Sequence, residues 1–393
     1  MSKLKFHLAL LPQIIIAIIL GIGAGYIFPD WLSRIFITFN ATFSQFLSFC
    51  IPLIILGFVT MAIGEIGSKA GKMLAFTALL AYVATFLAGT ISYFTGLLTF
   101  PSLLGDVTAN RVATAEEGSL LPYFVINMPP VLDVMSALVL AFILGLGIAH
   151  LKEDSSLRRG FGEVREIIVK VIRTVIIPLL PLYIFGIFLS MTIGGQVGPI
   201  LGTFIKIIVV IFLIHIGVLL IQFSIASLFS RHSKNPFKLL GKMMPAYFTA
   251  LGTQSSAATI PVTMAQAQKL GVREGVAGFV VPLCANIHMS GSALKITACA
   301  LALMMTQGIP YTTPMFMGFI AMLGVTMVAS PGVPGGSIMA ALGILSSILG
   351  FSEADNALMI ALYIAMDSFG TACNVTGDGA LAVIVDRVFA NKN

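Results

Sequence analysis

The sequence predicts an all-α polytopic membrane protein with eight transmembrane helices and two re-entrant helical hairpins. Three observations carry that expectation. Of the 393 residues, 58% are hydrophobic and only 10% charged, and mean hydropathy is +1.02, whereas an ordinary soluble domain carries about 25% charged residues. Such a chain cannot cover a water-facing surface, so its outer solvent is lipid. Apolar runs recur that reach the roughly 20 residues a spanning helix needs. Two further apolar stretches are interrupted near their middles by polar or Gly/Pro clusters, and lipid tolerates irregular backbone only where protein or a cavity covers it.

The elements follow in order. The first span is 8–28; it comes after Lys3 and Lys5, as a signal peptide's core would. The run is longer than a typical signal core and leads into GIGAGYIFPD without a small-x-small cleavage signal, so it is read as a span. The next spans are expected at 36–64, 72–100, 131–151, 174–193 and 200–229, with basic loops KEDSSLRRGFGEVREIIVK (152–170) and RHSKNPFKLLGK (231–242) between the later ones. Residues 236–268 contain GTQSSAATIP and residues 311–350 contain SPGVPGGS. Each half of these stretches is about 12–18 residues, too short to cross alone, so each is read as a hairpin. The seventh span is 275–306 and the eighth 357–385.

Charge agrees with this map. With a cytoplasmic N-terminus, the segments 152–170 and 231–242, Lys69/Lys72, Lys269/Arg273 and Arg387/Lys392 fall inside. Asp30, Asp106, Glu116, Glu117, Glu353 and Asp355 fall outside. That is the positive-inside pattern, and it assigns the net charge of +6 to membrane orientation. The basic residues form juxtamembrane collars without aromatic interleaving, so nucleic acid is not an expected partner. Cys50, Cys284, Cys299 and Cys373 lie in apolar segments without paired spacing, which gives neither a disulfide framework nor a CxxC metal site.

Polarity concentrates in DSFGTACNVTGDG, residues 367–379. At about 100° per residue, Asp367, Thr371, Asn374 and Asp378 fall within roughly 60° of one another on a helix, with Gly370 bordering them. A charged side chain at mid-bilayer costs roughly 2.5–3.5 kcal/mol even on the lenient scale, so intramembrane aspartates point to function. The alternative is a structural carboxylate paired to a neighbouring helix. Two aspartates with an asparagine, and without a basic partner on the same helix, look like a cation site and a substrate-ammonium site; hard cations such as Na⁺ want carboxylate, amide and carbonyl oxygens. In GTQSSAATIP, Gly252, Thr253, Ser255, Ser256 and Thr259 precede Pro261. This is a polar turn into a helix N-terminus that can attract a carboxylate, or else a plain hairpin cap. In SPGVPGGS, Gly332, Gly335 and Gly336 permit irregular backbone, while Pro331 and Pro334 stop helices. Each hairpin precedes a span with a polar centre, ANIHMSGSALK (285–295) and the 367–379 stretch, and paired interruptions of this kind point to a transporter's substrate site.

GTQSSAATIPVTM, PLCANIHMSGSAL, GVPG and DSFGTACNVTGDG stand in the order and spacing of known signatures. Over the whole chain, and most specifically over 236–386, the sequence resembles the dicarboxylate/amino acid:cation symporters, the glutamate-transporter homologues. The resemblance implies a homotrimer with an elevator fold. Residues 1–69 (spans 1 and 2) and 130–199 (spans 4 and 5) would form a scaffold. Residues 70–129 (span 3 and an outer loop) and 200–393 (span 6, hairpin 1, span 7, hairpin 2 and span 8) would form the transport domain. It implies Ser256 and Asn374 on a substrate α-carboxylate and Asp367 on its α-ammonium, with Thr371 close by. Ser255, Ser292, Gly370 and the second-hairpin residue Val333 complete the implied substrate site. It implies Na⁺ as coupling ion, one at Asn374 and Asp378 with seventh-span carbonyls, another at carbonyls around 327–330 and near Asn286 and Met289.

The departures from the family pattern narrow the expectation. Acidic-substrate members carry an arginine three residues after the first aspartate, where this chain has Gly370, so no guanidinium is available for a side-chain carboxylate. A neutral, small or polar amino acid fits better, and the vacated space could admit something larger. The signature NMDGT appears as His288-Met289-Ser290-Gly291-Ser292, and the third-span Thr-Ser pair matches Ala81-Tyr82, so a third sodium site is expected to be absent. Lys295 lies too far from either end of its span to snorkel and needs an internal partner. It is read as a tethered cation, set against Asp378, in place of the lost sodium; a lysine bonded to backbone carbonyls is the alternative. His288 is a candidate for proton coupling or a neutral hydrogen-bond donor.

The expected function is therefore secondary active, cation-coupled uptake of a neutral amino acid across the cell inner membrane, with both termini cytoplasmic and no cofactor beyond the ion. Kept beside it are proton-coupled or uncoupled carriage of an amino acid or dicarboxylate, and a transporter-like ligand sensor. A channel would need a continuous polar lining. A hydrolase would need nucleophile-and-base spacing, which Ser292 and Lys295, neighbours on one helix, do not supply.

Overall fold

The computed structural model describes residues 10–68, 72–104, 120–152, 154–195, 197–328, 330 and 335–389. Among these residues every regular element is helical. The first set comprises α1 (Leu10–Ile27), α2 (Asp30–Ser68), α3 (Lys72–Leu104), α4 (Val134–His150), α5 (Ser156–Val171), α6 (Ile177–Ile193) and α7 (Val197–Phe229), with a π turn at Ile172–Ile176 joining α5 to α6. Next come α8 (Pro236–Thr253) and α9 (Ser256–Lys269), then α10 (Glu274–Ile287) and α11 (Ser290–Gln307). The chain ends in α12 (Thr313–Val328), α13 (Gly336–Leu349), α14 (Glu353–Ala365) and α15 (Asp367–Val388). Five helical stretches among the described residues are long and apolar enough to cross a membrane, and the α14–α15 pair, bent by 63°, makes a sixth. The chain is a multi-pass membrane protein.

The segment 152–170, expected to be a loop, is instead helix from Ser156 onward and runs through the π turn into α6. Ser155 caps it, its hydroxyl accepting from the Arg158 amide at 3.2 Å. Leu157, Phe161, Val164 and Ile168 recur at helical spacing among the charges, which makes an amphipathic stripe. That stripe packs on α2, and Arg158 Nη2 donates to the Gly64 carbonyl at 3.0 Å.

Helices α1, α2, α4, α5 and α6 pack on one another, chiefly α2 on α4 and α1 on α6. Helix α15 is the axis of the remainder: α7, α8, α9, α10 and α11 all lie against it, and α3 lies along α11. All of α11 from Ser290 to Met305 is buried, as is α15 from Asp367 to Asp386 except Phe369. The small residues that dominate these two helices let backbones approach where lipid gives no hydrophobic drive for association. At their crossing a Cβ on Gly291 would strike the Gly370 carbonyl oxygen and stand 2.6 Å from Cys373 Cβ, so only glycine fits.

Candidate substrate and cation site

The breaks of the α10–α11 and α14–α15 pairs, Gln254 of the first hairpin and Gly335 at the start of α13 meet around the start of α15. The α10–α11 pair breaks at His288-Met289, and the α14–α15 pair bends at Met366. Asn374 stitches the first break to α15. Its Oδ1 accepts from the Gly291 amide at 2.7 Å, and its Nδ2 lies 3.3 Å from both Met289 Sδ and Ser292 Oγ. Ser292 Oγ in turn lies 2.9 Å from the Tyr363 hydroxyl. Thr371 is buried on the same stripe of α15.

Asp367 is the first residue of α15, where the partial positive charge of a helix N-terminus favours a carboxylate. Its Oδ2 accepts from the Gly335 amide at 2.9 Å, which seats the start of α13 on it. Its Oδ1 faces Lys295 Nζ at 3.4 Å. That ammonium also donates to the Met366 carbonyl at 3.2 Å and lies 3.7 Å from the centroid of the Tyr363 ring. Lys295 is 1% exposed.

Two expectations are corrected here. The space beside Gly370 is not vacant: a Cβ there would collide with Lys295 Nζ and Cε. Lys295 also does not meet Asp378. The break at 288–289 starts a new helix, which sets Lys295 opposite the beginning of α15; Asp378 lies eleven residues further along, about 16 Å at 1.5 Å per residue.

Asp378 belongs to His288. Nδ1 stands 2.9 Å from Oδ1, with the side chains 0% and 1% exposed. The other ring nitrogen, Nε2, is 2.7 Å from Ser290 Oγ and 3.4 Å from Gln222 Nε2. Gln222 Nε2 donates to Ser290 Oγ at 3.1 Å, while its Oε1 is buried without a partner. A ring carrying its proton on Nδ1 donates to the carboxylate and accepts the Ser290 hydroxyl on Nε2. His288 and Lys295 therefore serve separate carboxylates, from either side of the break.

On the third span, Thr85 rather than the expected Ala81-Tyr82 pair reaches the site. Its Oγ1 accepts from the Met289 amide at 3.1 Å, whereas the Tyr82 hydroxyl donates to the Ala321 carbonyl. Thr77, Thr85 and Ser92 are all buried on α3 at spacings of about two helical turns, the signal that could have found this face. Gln222 carried no comparable signal, being a single amide in an apolar span.

At the first hairpin, Ser255 caps α9, its hydroxyl accepting from the Ala258 amide at 3.3 Å. Ser256 and Thr259 are buried on α9, which packs on α15. Gln254, which the sequence reading passed over, ends α8 with φ 54° and donates from Nε2 to Ser368 Oγ at 2.8 Å. Asn286 is exposed, its amide turned back to the Pro282 carbonyl at 2.9 Å. Val333, with Pro331, Gly332, Pro334 and Ala329, lies outside the described residues, as do Lys3, Lys5, Lys69, Asp106, Glu116, Glu117 and Lys392.

A helical membrane protein whose polar groups converge from two hairpins and two interrupted helices belongs to the class of secondary carriers. The Sodium:dicarboxylate symporter family model matches residues 10–388, and the chain belongs to that family. It is similar to the serine/threonine transporter SstT of Acinetobacter baumannii (strain AYE), with 28% identity over 396 residues covering 97% of each chain. It is also similar to the serine/threonine transporter SstT of Acinetobacter baylyi (strain ATCC 33305 / BD413 / ADP1), with 26% identity over 403 residues covering 98% of this chain and 99% of the other.

The family implies a sodium ion, and the side chains expected to hold it have these partners. Asp378 Oδ1 is engaged by His288 and Asn374 Oδ1 by Gly291, while Asn286 is turned outward. Among the described residues no group of three or more His, Cys, Asp or Glu side chains could hold a metal ion.

Proposed function

We propose that this chain is a secondary active carrier that takes up a neutral, small or polar amino acid together with a cation. The observation that carries the reading is the pairing of a buried carboxylate with an arginine-free neighbourhood: Asp367 for an α-ammonium, beside Gly370 and the hydroxyls of Thr371 and Ser292. An ammonium needs an anion in a membrane interior, and a substrate carboxylate is matched by the N-terminus of α9 and by Asn374. The relatives' names, serine/threonine transporter, support a hydroxylated substrate.

In this reading α1, α2, α4, α5 and α6 are a static scaffold in a homotrimer of the cell inner membrane, with both termini cytoplasmic. The body built on α3 and α7–α15 carries the site across as an elevator, with Ser255, Ser256 and Val333 at the hairpin ends. Packing within each helix group is more extensive than the contacts between them, made chiefly by α13 and α14 on α1, α2, α4 and α6, which supports this division.

Sodium is the coupling ion that the family name supports. A specific observation favours a second reading, a proton in that role: the His288 ring already stands against the carboxylate assigned to sodium. Uptake of labelled L-serine, L-threonine and L-aspartate into proteoliposomes under an inward sodium or an inward proton gradient tests both. Accumulation of serine or threonine over aspartate is expected, and the gradient that drives it selects the ion. Binding without accumulation under either gradient would leave a ligand sensor in place of a carrier.

A further inference from the structure

We infer that Lys295 is a built-in stand-in for the substrate's ammonium, an intramolecular counter-cation that neutralises Asp367 in the empty carrier and has to leave it when substrate binds. The inference rests on the carrier reading above and adds a step to its cycle.

Lys295 Nζ is held as a bound primary ammonium would be held: a carboxylate oxygen at 3.4 Å, a carbonyl oxygen at 3.2 Å and an aromatic face at 3.7 Å. Carboxylate, carbonyl and ring are the groups that recognise an ammonium in a low-dielectric site. One five-residue stretch across the α14–α15 bend builds this cage, with Tyr363 on α14, Met366 at the bend and Asp367 opening α15, while the lysine itself comes from α11. Gly370 leaves room for the ammonium, and no larger residue would. Asp367 Oδ2 is already taken by the Gly335 amide. Oδ1, the oxygen left for a substrate ammonium, is the one Lys295 occupies.

The consequence concerns the return step. A carrier that accumulates substrate must move its site back without cargo, and a bare carboxylate in a membrane interior opposes that movement. With Lys295 on Asp367 the empty site is paired. When a zwitterion arrives, its ammonium replaces the lysine on Oδ1. Exchange of substrate for substrate never moves the empty site across the membrane, so it does not need the lysine on Asp367 for a return step; net uptake does.

The test uses the full-length protein in vesicles with L-serine as probe. Two rates are measured, exchange with serine on both sides and net uptake with serine outside only. In Lys295→Met the ratio of exchange to net uptake should rise by about tenfold or more, because only net uptake requires the empty site to return, and a bare carboxylate opposes that movement. Lys295→Arg, which keeps a cation, should stay near the wild-type ratio. If Lys295→Met fails to fold, Gly370→Ala serves instead: its methyl group drives the ammonium off Asp367 while the lysine remains, and the ratio should rise in the same direction. An unchanged ratio in the folded variants overturns the inference and leaves the carrier reading intact. Equal loss of both rates in folded Lys295→Met also overturns it, because the lysine would then be required with substrate aboard. A wild-type protein that neither exchanges nor takes up any amino acid defeats the carrier reading, and the inference with it.

Discussion

His288 and Asp378 form a closed pair inside the membrane domain, Nδ1 to Oδ1 at 2.9 Å with neither side chain more than 1% exposed. Removing one member of such a pair leaves an uncompensated buried group and costs about 3–5 kcal/mol. His288→Ala is expected to lower the melting temperature sharply. The double variant His288→Ala with Asp378→Asn should recover part of that loss. A double-mutant cycle by thermal unfolding checks this, and strictly additive losses would contradict the pair.

Thr85 Oγ1 is the acceptor for the Met289 amide at the helix break. Thr85→Val keeps the shape and deletes the acceptor, leaving a buried N–H unsatisfied at a cost of about 1–3 kcal/mol. Thr85→Ser should restore most of that stability. The comparison of the two unfolding midpoints is the check; equal midpoints would mean that the hydroxyl is idle.

Gln254 holds φ 54° at the end of α8, a conformation that costs side chains with branched Cβ most. Gln254→Val should destabilise the protein by about 1–2 kcal/mol more than Gln254→Gly does. Both lose the bond to Ser368, so a shared change in substrate affinity, seen in the concentration dependence of uptake, would report that contact.

Gly370 and Lys295 share one volume. Gly370→Arg by itself is expected to abolish serine uptake, because two long cations compete for one space. Combined with Lys295→Ala the arginine gains room, and L-aspartate should become a substrate. Competition of labelled serine uptake by unlabelled aspartate measures the change. An aspartate-tolerant single variant would show that the lysine does not fill that position.

The sequence made the polar stripe of α15 legible because its four residues recur with helical period inside an apolar chain, and one periodicity is enough to set a face. The hairpins were legible as Gly/Pro and Ser/Thr clusters in stretches too short to span twice. What it could not reveal was pairing across helices. Whether Lys295 meets Asp367 or Asp378 depends on where the α10–α11 break resets the rotation and rise of the chain, which no single-helix period encodes. The basic segment 152–170 read as a loop because its charges outweigh its apolar stripe in composition, although the Ser155 cap and the spacing of Phe161, Val164 and Ile168 were present. Thr85 was not legible because the family's Thr-Ser pair matches Ala81-Tyr82, one turn earlier on α3. The left-handed turn at Gln254 lacked the glycine that marks such a conformation.

The most direct test of the central claim is accumulation of labelled L-serine by proteoliposomes of the wild-type protein and of Asp367→Asn, under imposed sodium and proton gradients. The account predicts that the wild type concentrates serine above its outside level under one of the two gradients, and that Asp367→Asn does not. Accumulation that survives the loss of the Asp367 charge, or wild-type binding without accumulation under either gradient, would contradict it.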